Sequence, residues 1–167
     1  MFGLQGRHRE ALHQAKRGLD LFRAAEQPAG VARALNDVGW AYAELGEYQQ
    51  ALTYCEQALA LHREIGDLDG QAETSDAPGY AHHHLGQYQQ AITCYRSAFE
   101  LFQGLGDRYQ AGGALAHLGD TQQCAGDANA ARVAWQHALT LLDQVGHPDA
   151  DTVRAKLDAA PVIEAVP

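Results

Sequence analysis

A chain of 167 residues, 46% apolar and 20% charged, is long enough to bury a continuous core as one domain. Its formal charge of −9, with Lys16 and Lys156 the only lysines among twelve scattered cations, excludes the clustered basic face of a nucleic-acid site. No apolar run reaches the roughly 20 residues of a spanning helix, and Met1 to Arg7 lacks the apolar stretch of a secretory signal.

Taken in order, the chain reads as helices punctuated by glycine. Met1 to about Gln27 carries Leu12, Ala15, Leu19 and Phe22 at steps of three and four, one apolar helix face. Gln27-Pro28-Ala29-Gly30 is expected to break it. From about Val31 to Leu45, the residues Ala34, Leu35, Val38, Tyr42 and Leu45 repeat the spacing. Gly46 then ends the helix, since glycine takes the left-handed cap without Cβ strain. A helix from Tyr48 to about Ile65 follows, with Ala51, Cys55, Ala58, Leu59 and Leu61 for packing, and Gly66-Asp67 closes it. A similar helix runs from Tyr88 to Leu105, with Ala91, Tyr95, Ala98, Phe99 and Phe102 on one side. The last unit offers Ala114, Leu115 and Leu118, then Ala131, Trp135, Ala138, Leu139 and Leu142. Gly146-His147-Pro148-Asp149 ends the array, and Asp151 to about Ala159 is expected as a short capping helix.

Leu45-Gly46-Glu47-Tyr48-Gln49-Gln50-Ala51 returns as Leu85-Gly86-Gln87-Tyr88-Gln89-Gln90-Ala91, and glycine recurs at 6, 46, 86 and 126. A fixed step of 40 residues marks a stacked array of helix pairs. Within it, Leu35-x2-Val38-Gly39-x2-Tyr42 is followed by Ala51-x3-Cys55, Ala91-x3-Tyr95 and Ala131-x3-Trp135. Gly39, Gly79 and Gly119 recur, as do Ala58, Ala98 and Ala138: small residues where helices cross closely, with a larger side chain filling the adjacent hole. The period alone would also suit HEAT-like pairs, but this internal spacing resembles the tetratricopeptide repeat. The expected fold is all-α, a right-handed superhelix of antiparallel helix pairs. Its expected divisions are a partial repeat over 1–27 (a second helix only, Gly6 at its turn), units over 28–66, 67–106 and 107–146, a capping helix over 147–160 and a disordered tail over 161–167.

Forty-residue units with this turn resemble kinesin light chains, Pins/LGN adaptors and bacterial sensor arrays. Gly79-Tyr80-Ala81-His82-His83-His84-Leu85-Gly86, Leu105-Gly106-Asp107-Arg108-Tyr109 and Gly146-His147-Pro148-Asp149-Ala150-Asp151 are most similar to one group. That group is the C-terminal repeat region of actinobacterial AfsR-type regulators, the Streptomyces antibiotic regulatory proteins. The resemblance implies a regulatory interaction or sensor module of a transcriptional regulator; the cytoplasm is the expected location from the N-terminal composition and the cysteines. No GxxxxGK[ST] loop occurs, so the ATPase of those regulators is not in this chain. Three cysteines, Cys55, Cys94 and Cys124, without CxxC spacing fit a reducing compartment.

Two features depart from a tidy array. Residues 1–27 match a second helix without its first, so either the chain is a fragment of a larger protein or another copy covers the open face. Pro78 stands where Val38 and Leu118 stand in neighbouring units. It is expected to kink or break its helix near Asp76-Ala77, leaving the Thr74 carbonyl to water. Segment exchange or oligomerisation would be one consequence, and a kinked repeat in a monomer the other.

Partners of such arrays lie on the concave wall lined by the first helix of each unit. The motif puts Arg33, Asn36, Trp40 and Glu44 there, then Glu73, Asp76, Tyr80, His83 and His84, then Ala116, Asp120 and Gln123. Trp40 and Tyr80, one period apart, should be neighbours, and with Arg33 and Asn36 they are the expected contacts for a protein or peptide segment. His82-His83-His84 cannot converge on one ion, because consecutive helical residues point about 100° apart. His84 and Cys124 lack a third ligand, so no metal and no cofactor is expected. No catalytic residue is expected either: Cys55 fills a packing slot, and Asp67, Asp107, Asp120 and Asp127 fit turns or helix starts, where capping accounts for them. Protein interaction is the primary reading, a small-peptide or small-molecule sensor the second, and a self-assembling module the third.

Overall fold

A computed structural model describes residues 2–160, with side chains from residue 6 onward. The described residues form eight helices and no strand: α1 (Phe2–Ala24), α2 (Pro28–Glu44), α3 (Tyr48–Glu64), α4 (Leu68–His84), α5 (Tyr88–Leu105), α6 (Arg108–Cys124), α7 (Ala128–Gln144) and α8 (Asp149–Ala159). The expected tail at 161–167 lies outside the described residues. Two compact units result, Met1–Cys94 and Tyr95–Pro167, with the division falling inside α5.

The helices end alike because the same residue closes them. Gly46 has φ 78°, and after it the Glu47 N–H donates to the Tyr42 carbonyl at 2.9 Å, with the Gly46 N–H on Ala43. This pattern satisfies orphan carbonyls of the last turn, and a Cβ at that φ would be strained. The same arrangement recurs at 66, 86, 106, 126 and 146. At the end of α1 the left-handed residue is Glu26 (φ 51°), the only non-glycine among the described residues with positive φ. The break therefore falls before Gln27, Pro28 opens α2, and Gly30 lies inside α2, where a Cβ would collide with the Phe22 ring.

In the first unit, α1 packs on α2, α2 on α3, and α4 on both α2 and α3. One core gathers Leu19, Ala34, Leu35, Val38 and Ala58; a second gathers Ala43, Ala51, Leu52 and Ala81. Gly39 meets Cys55 so closely that any side chain at 39 would strike the sulfur. In the second unit α6 packs on α7 and α7 on α8, around Leu115, Leu118, Trp135, Ala138, Leu142 and Val153. Here Gly119 lies against the Trp135 ring, where a Cβ would come within 2.5 Å.

Two expectations need correction. Gly6 is not a turn: α1 runs through it from Phe2, and Gly6 lacks the positive φ of the glycines that close the later helices. Pro78 does not break its helix either, since α4 is continuous from Leu68 to His84. The Thr74 carbonyl, deprived of the N–H four residues on, is not left to water: Thr74 is 0% exposed. Ala77, Pro78 and Gly79 are buried with it, so packing on α2 and α3 holds the helix through a residue that would end it in isolation.

Candidate functional site

Successive first-type helices α2 and α4 stand side by side in the first unit, and the 40-residue step brings like positions into register. Trp40 and Tyr80 are neighbours, with ring centroids 5.9 Å apart. Tyr80 also meets Tyr48 (6.3 Å) and His84 (4.3 Å), and His84 stacks on Tyr48 at 5.1 Å with planes 6° apart. His83 continues the series to His84 (5.4 Å) and to Tyr88 at the start of α5 (5.7 Å). The result is a chain of six rings, each partly or wholly reachable from solvent; three of them, Trp40, Tyr48 and Tyr80, rest on the small residues Ala43, Ala51 and Ala81. Partial burial raises the Tyr80 hydroxyl pKa above its ordinary value, with Tyr48 and Glu44 adding to the effect.

The polar residues expected on this wall divide. Asn36 is half-buried, and its Oδ1 is buried without a hydrogen-bond partner. Glu44 is exposed and ion-paired to His8 of α1 at 2.8 Å. Arg33 is exposed, and its charge reaches Asp67. Glu73 is exposed and Asp76 half-buried on α4. Trp40 and Glu44 also border a groove of about 690 Å³ between α1 and α2.

Asp120 and Gln123 lie in the second unit. Gln123 is exposed near the end of α6. Asp120 sits in the middle of α6 and caps nothing, which corrects its reading as a turn or helix-start residue. It accepts the Trp135 indole N–H at 3.0 Å and the Lys156 ammonium at 2.6 and 2.7 Å, joining α6, α7 and α8. The other three aspartates are caps: Asp67 accepts from the Gly70 N–H, Asp107 from Gln110 and Asp127 from Ala130.

Sequence reasoning passed over two participants. Tyr48 is expected from the motif only as a packing residue at the start of its helix, yet its ring stacks on His84 and meets Tyr80; the signal is its place 40 residues before Tyr88, which also meets a histidine of α4. His62 was not singled out, although it stands where Phe22, Phe102 and Leu142 stand. It is 1% exposed, and its Nδ1–H donates to Asp67 Oδ2 at 2.9 Å. Asp67 is held below the ordinary carboxylate range, first by the Gly70 N–H and then by His62.

Burial pushes the Cys55 thiol up to about 12 and raises Cys94 as well, so neither presents a thiolate. Among the described residues no group of three or more His, Cys, Asp or Glu is placed to hold a metal ion, and no helix is long and apolar enough to cross a membrane.

Comparison with known proteins agrees with this architecture. A tetratricopeptide-repeat family model matches residues 1–64, and a second tetratricopeptide-repeat model matches residues 79–104, together more than half of the chain. No curated protein matches the sequence significantly. Among solved structures, the chain is similar to a Rap protein complexed with competence and sporulation factor, at 18% identity and a TM-score of 0.79. That likeness covers 92% of this chain but 43% of the Rap protein, so this chain spans less than half its length. It is similar also to BtubC from P. vanneervenii (19% identity, TM-score 0.71, covering 97% of this chain and 79% of that one). A Podosopora anserina kinesin-light-chain candidate with nearly identical TPR-like repeats gives 15% identity and a TM-score of 0.76, covering 93% and 78%. Identities this low speak for the fold alone, and the fold is an all-α solenoid of helix pairs. With the family models and the 40-residue motif in agreement, this chain is a tetratricopeptide repeat protein.

Proposed function

We propose that this chain is a non-catalytic interaction module that holds a segment of a partner protein against the wall formed by α2 and α4. One observation carries the reading: six aromatic and imidazole rings from four consecutive helices, α2 to α5, are gathered together and left partly open. Rings of this kind give large contact area at little entropic cost, and such residues dominate interface energetics. Asn36, one turn before Trp40 on α2, is half-buried beside these rings. The resemblance of the Gly79–Gly86 and Gly146–Asp151 segments to AfsR-type regulators supports a role inside a bacterial transcriptional regulator, working in the cytoplasm.

The test is selection of binding peptides from a random 15-residue library, followed by titration on variants. Trp40→Ala and Tyr80→Ala should each weaken the selected peptides about thirtyfold, the effect of losing a ~2 kcal/mol hot spot. Circular dichroism should show unchanged helix content. Peptides that bind both variants as well as the wild type would overturn the reading.

A sensor of small peptides is favoured by one comparison, since the Rap protein of similar fold is complexed with competence and sporulation factor. Under that reading a short free peptide raises the melting temperature in proportion to its occupancy.

A further inference from the structure

The ring-lined wall is acidic as well as aromatic. Helices α2 and α4 carry five carboxylates, Asp37, Glu44, Asp69, Glu73 and Asp76, against one guanidinium, Arg33. The chain as a whole has 21 acidic and 12 basic residues, so the imbalance is concentrated here. The neighbouring α1 holds five of those twelve cations, yet what it presents to a wall carboxylate is His8, on Glu44 Oε2 at 2.8 Å, while Lys16 is turned to the Tyr42 hydroxyl at 2.7 Å. Helix α2 packs on α1, α3 and α4, so the wall stands within the array, and its rings stay partly exposed with those helices in place.

Two of the carboxylates bracket the rings. Trp40 meets Tyr80 and, further along, Tyr48 meets His84, so α2 and α4 run in the same direction. Glu44 lies one turn beyond Trp40 with its side chain 48% exposed, and among the described residues its Oε1 has no partner. Glu73 lies two turns before Tyr80, is exposed, and among the described residues makes no hydrogen bond or ion pair; Arg33, level with it on α2, is not paired with it. At a rise of about 1.5 Å per residue, Glu44 is about 6 Å past the ring pair and Glu73 about 10 Å before it. The roughly 16 Å between them is spanned by about five residues of extended chain.

We propose that the segment held by this wall is basic: an extended stretch of a partner protein with two arginines or lysines about five residues apart, one on Glu44 and one on Glu73, and apolar or aromatic residues between them on Trp40 and Tyr80. This rests on the reading of the wall as the interaction site and adds the chemistry of its partner. The rings supply contact area, and the carboxylates set the sign and register of what lies on it. Arginine suits both places better than lysine, because its planar guanidinium pairs a carboxylate through two bonds and stacks on a neighbouring ring.

The probes are the 15-residue peptides selected from a random library on the full chain and weakened by Trp40→Ala. Their sequences should share two basic residues about five apart around an apolar centre. Replacing either one by glutamine should weaken binding about fivefold, the upper range for an exposed ion pair. Glu73→Gln should cost as much against the parent peptide and nothing further against the peptide that lacks the facing cation. Glu73→Lys should weaken the parent peptide about tenfold, whereas Glu56→Lys, on an exposed part of α3, should leave it unchanged. Both positions are exposed, and circular dichroism should show the helix content intact in each variant. Trp40-dependent peptides that are neutral or acidic, or equal effects of Glu73→Lys and Glu56→Lys, would overturn this inference and leave the interaction module standing. If no selected peptide depends on Trp40, the module reading falls and the basic partner with it.

Discussion

Helices α4 and α6 occupy equivalent places in successive repeats, yet they are used in opposite ways. In α6, Leu118 fills the core, and Asp120 ties Trp135 of α7 to Lys156 of α8 through a charge-assisted hydrogen bond at 2.6 Å. In α4 those two positions are Pro78 and Tyr80. The proline forgoes a helix bond, Thr74 Oγ1 is buried without a partner, and the tyrosine turns to a cluster of rings open to solvent. One template therefore yields a helix devoted to cohesion and a helix that gives up cohesion for a surface. Functional faces commonly carry such local costs, because the surrounding packing can bear them.

The contrast can be broken most forcibly at its cohesive end. Trp135→Ala removes a side chain only 5% exposed and leaves Asp120 without its indole donor; it should cost ~4 kcal/mol, read as a fall in the urea midpoint. At the other end, Pro78→Ala should raise stability by ~2 kcal/mol, from ~3 regained with the helix bond less ~1 for the lost ring burial. A lower midpoint in that variant would show that the ring's packing outweighs the missing bond. The smallest effect concerns the cap that starts α4. Asp67 has a folded pKa below its unfolded one, so its stabilisation is complete above the ordinary carboxylate pKa and is lost as pH falls through the folded value. Asp67→Ala should therefore cost ~1 kcal/mol at neutral pH, and the gap to wild type should narrow as pH falls below the ordinary carboxylate range.

The repeat was legible in the chain because its signals are local and periodic. Gly46 and Gly86 mark turns at one spacing, and Gly39, Gly119 and Ala58 mark close crossings at another. Trp40 and Tyr80 could be paired for the same reason, since one period separates them. What escaped depends on partners that no period announces. Asp120 looks like a cap until Lys156, 36 residues away on α8, takes both its oxygens. Glu26 carries no sign that it will adopt a left-handed φ; only the five glycine-closed ends that share the pattern of α2 make it intelligible. The fate of Pro78 is likewise tertiary: the residue argues for a break, and its burial against neighbouring helices decides otherwise.

The left-handed glycines fall at 46, 66, 86, 106, 126 and 146, a step of 20 rather than 40. Turns within a helix pair and turns between pairs are thus the same device, and helices of 17 or 18 residues separate them from α2 to α7. For a gene that gains or loses repeats, the reading frame of the fold is then set by side chains alone. An exchange of 20 codons would preserve every turn while inverting which helices line the binding wall. Only an exchange of a whole period keeps both, so unequal recombination in such a gene can produce chains that still turn correctly and yet present the wrong face.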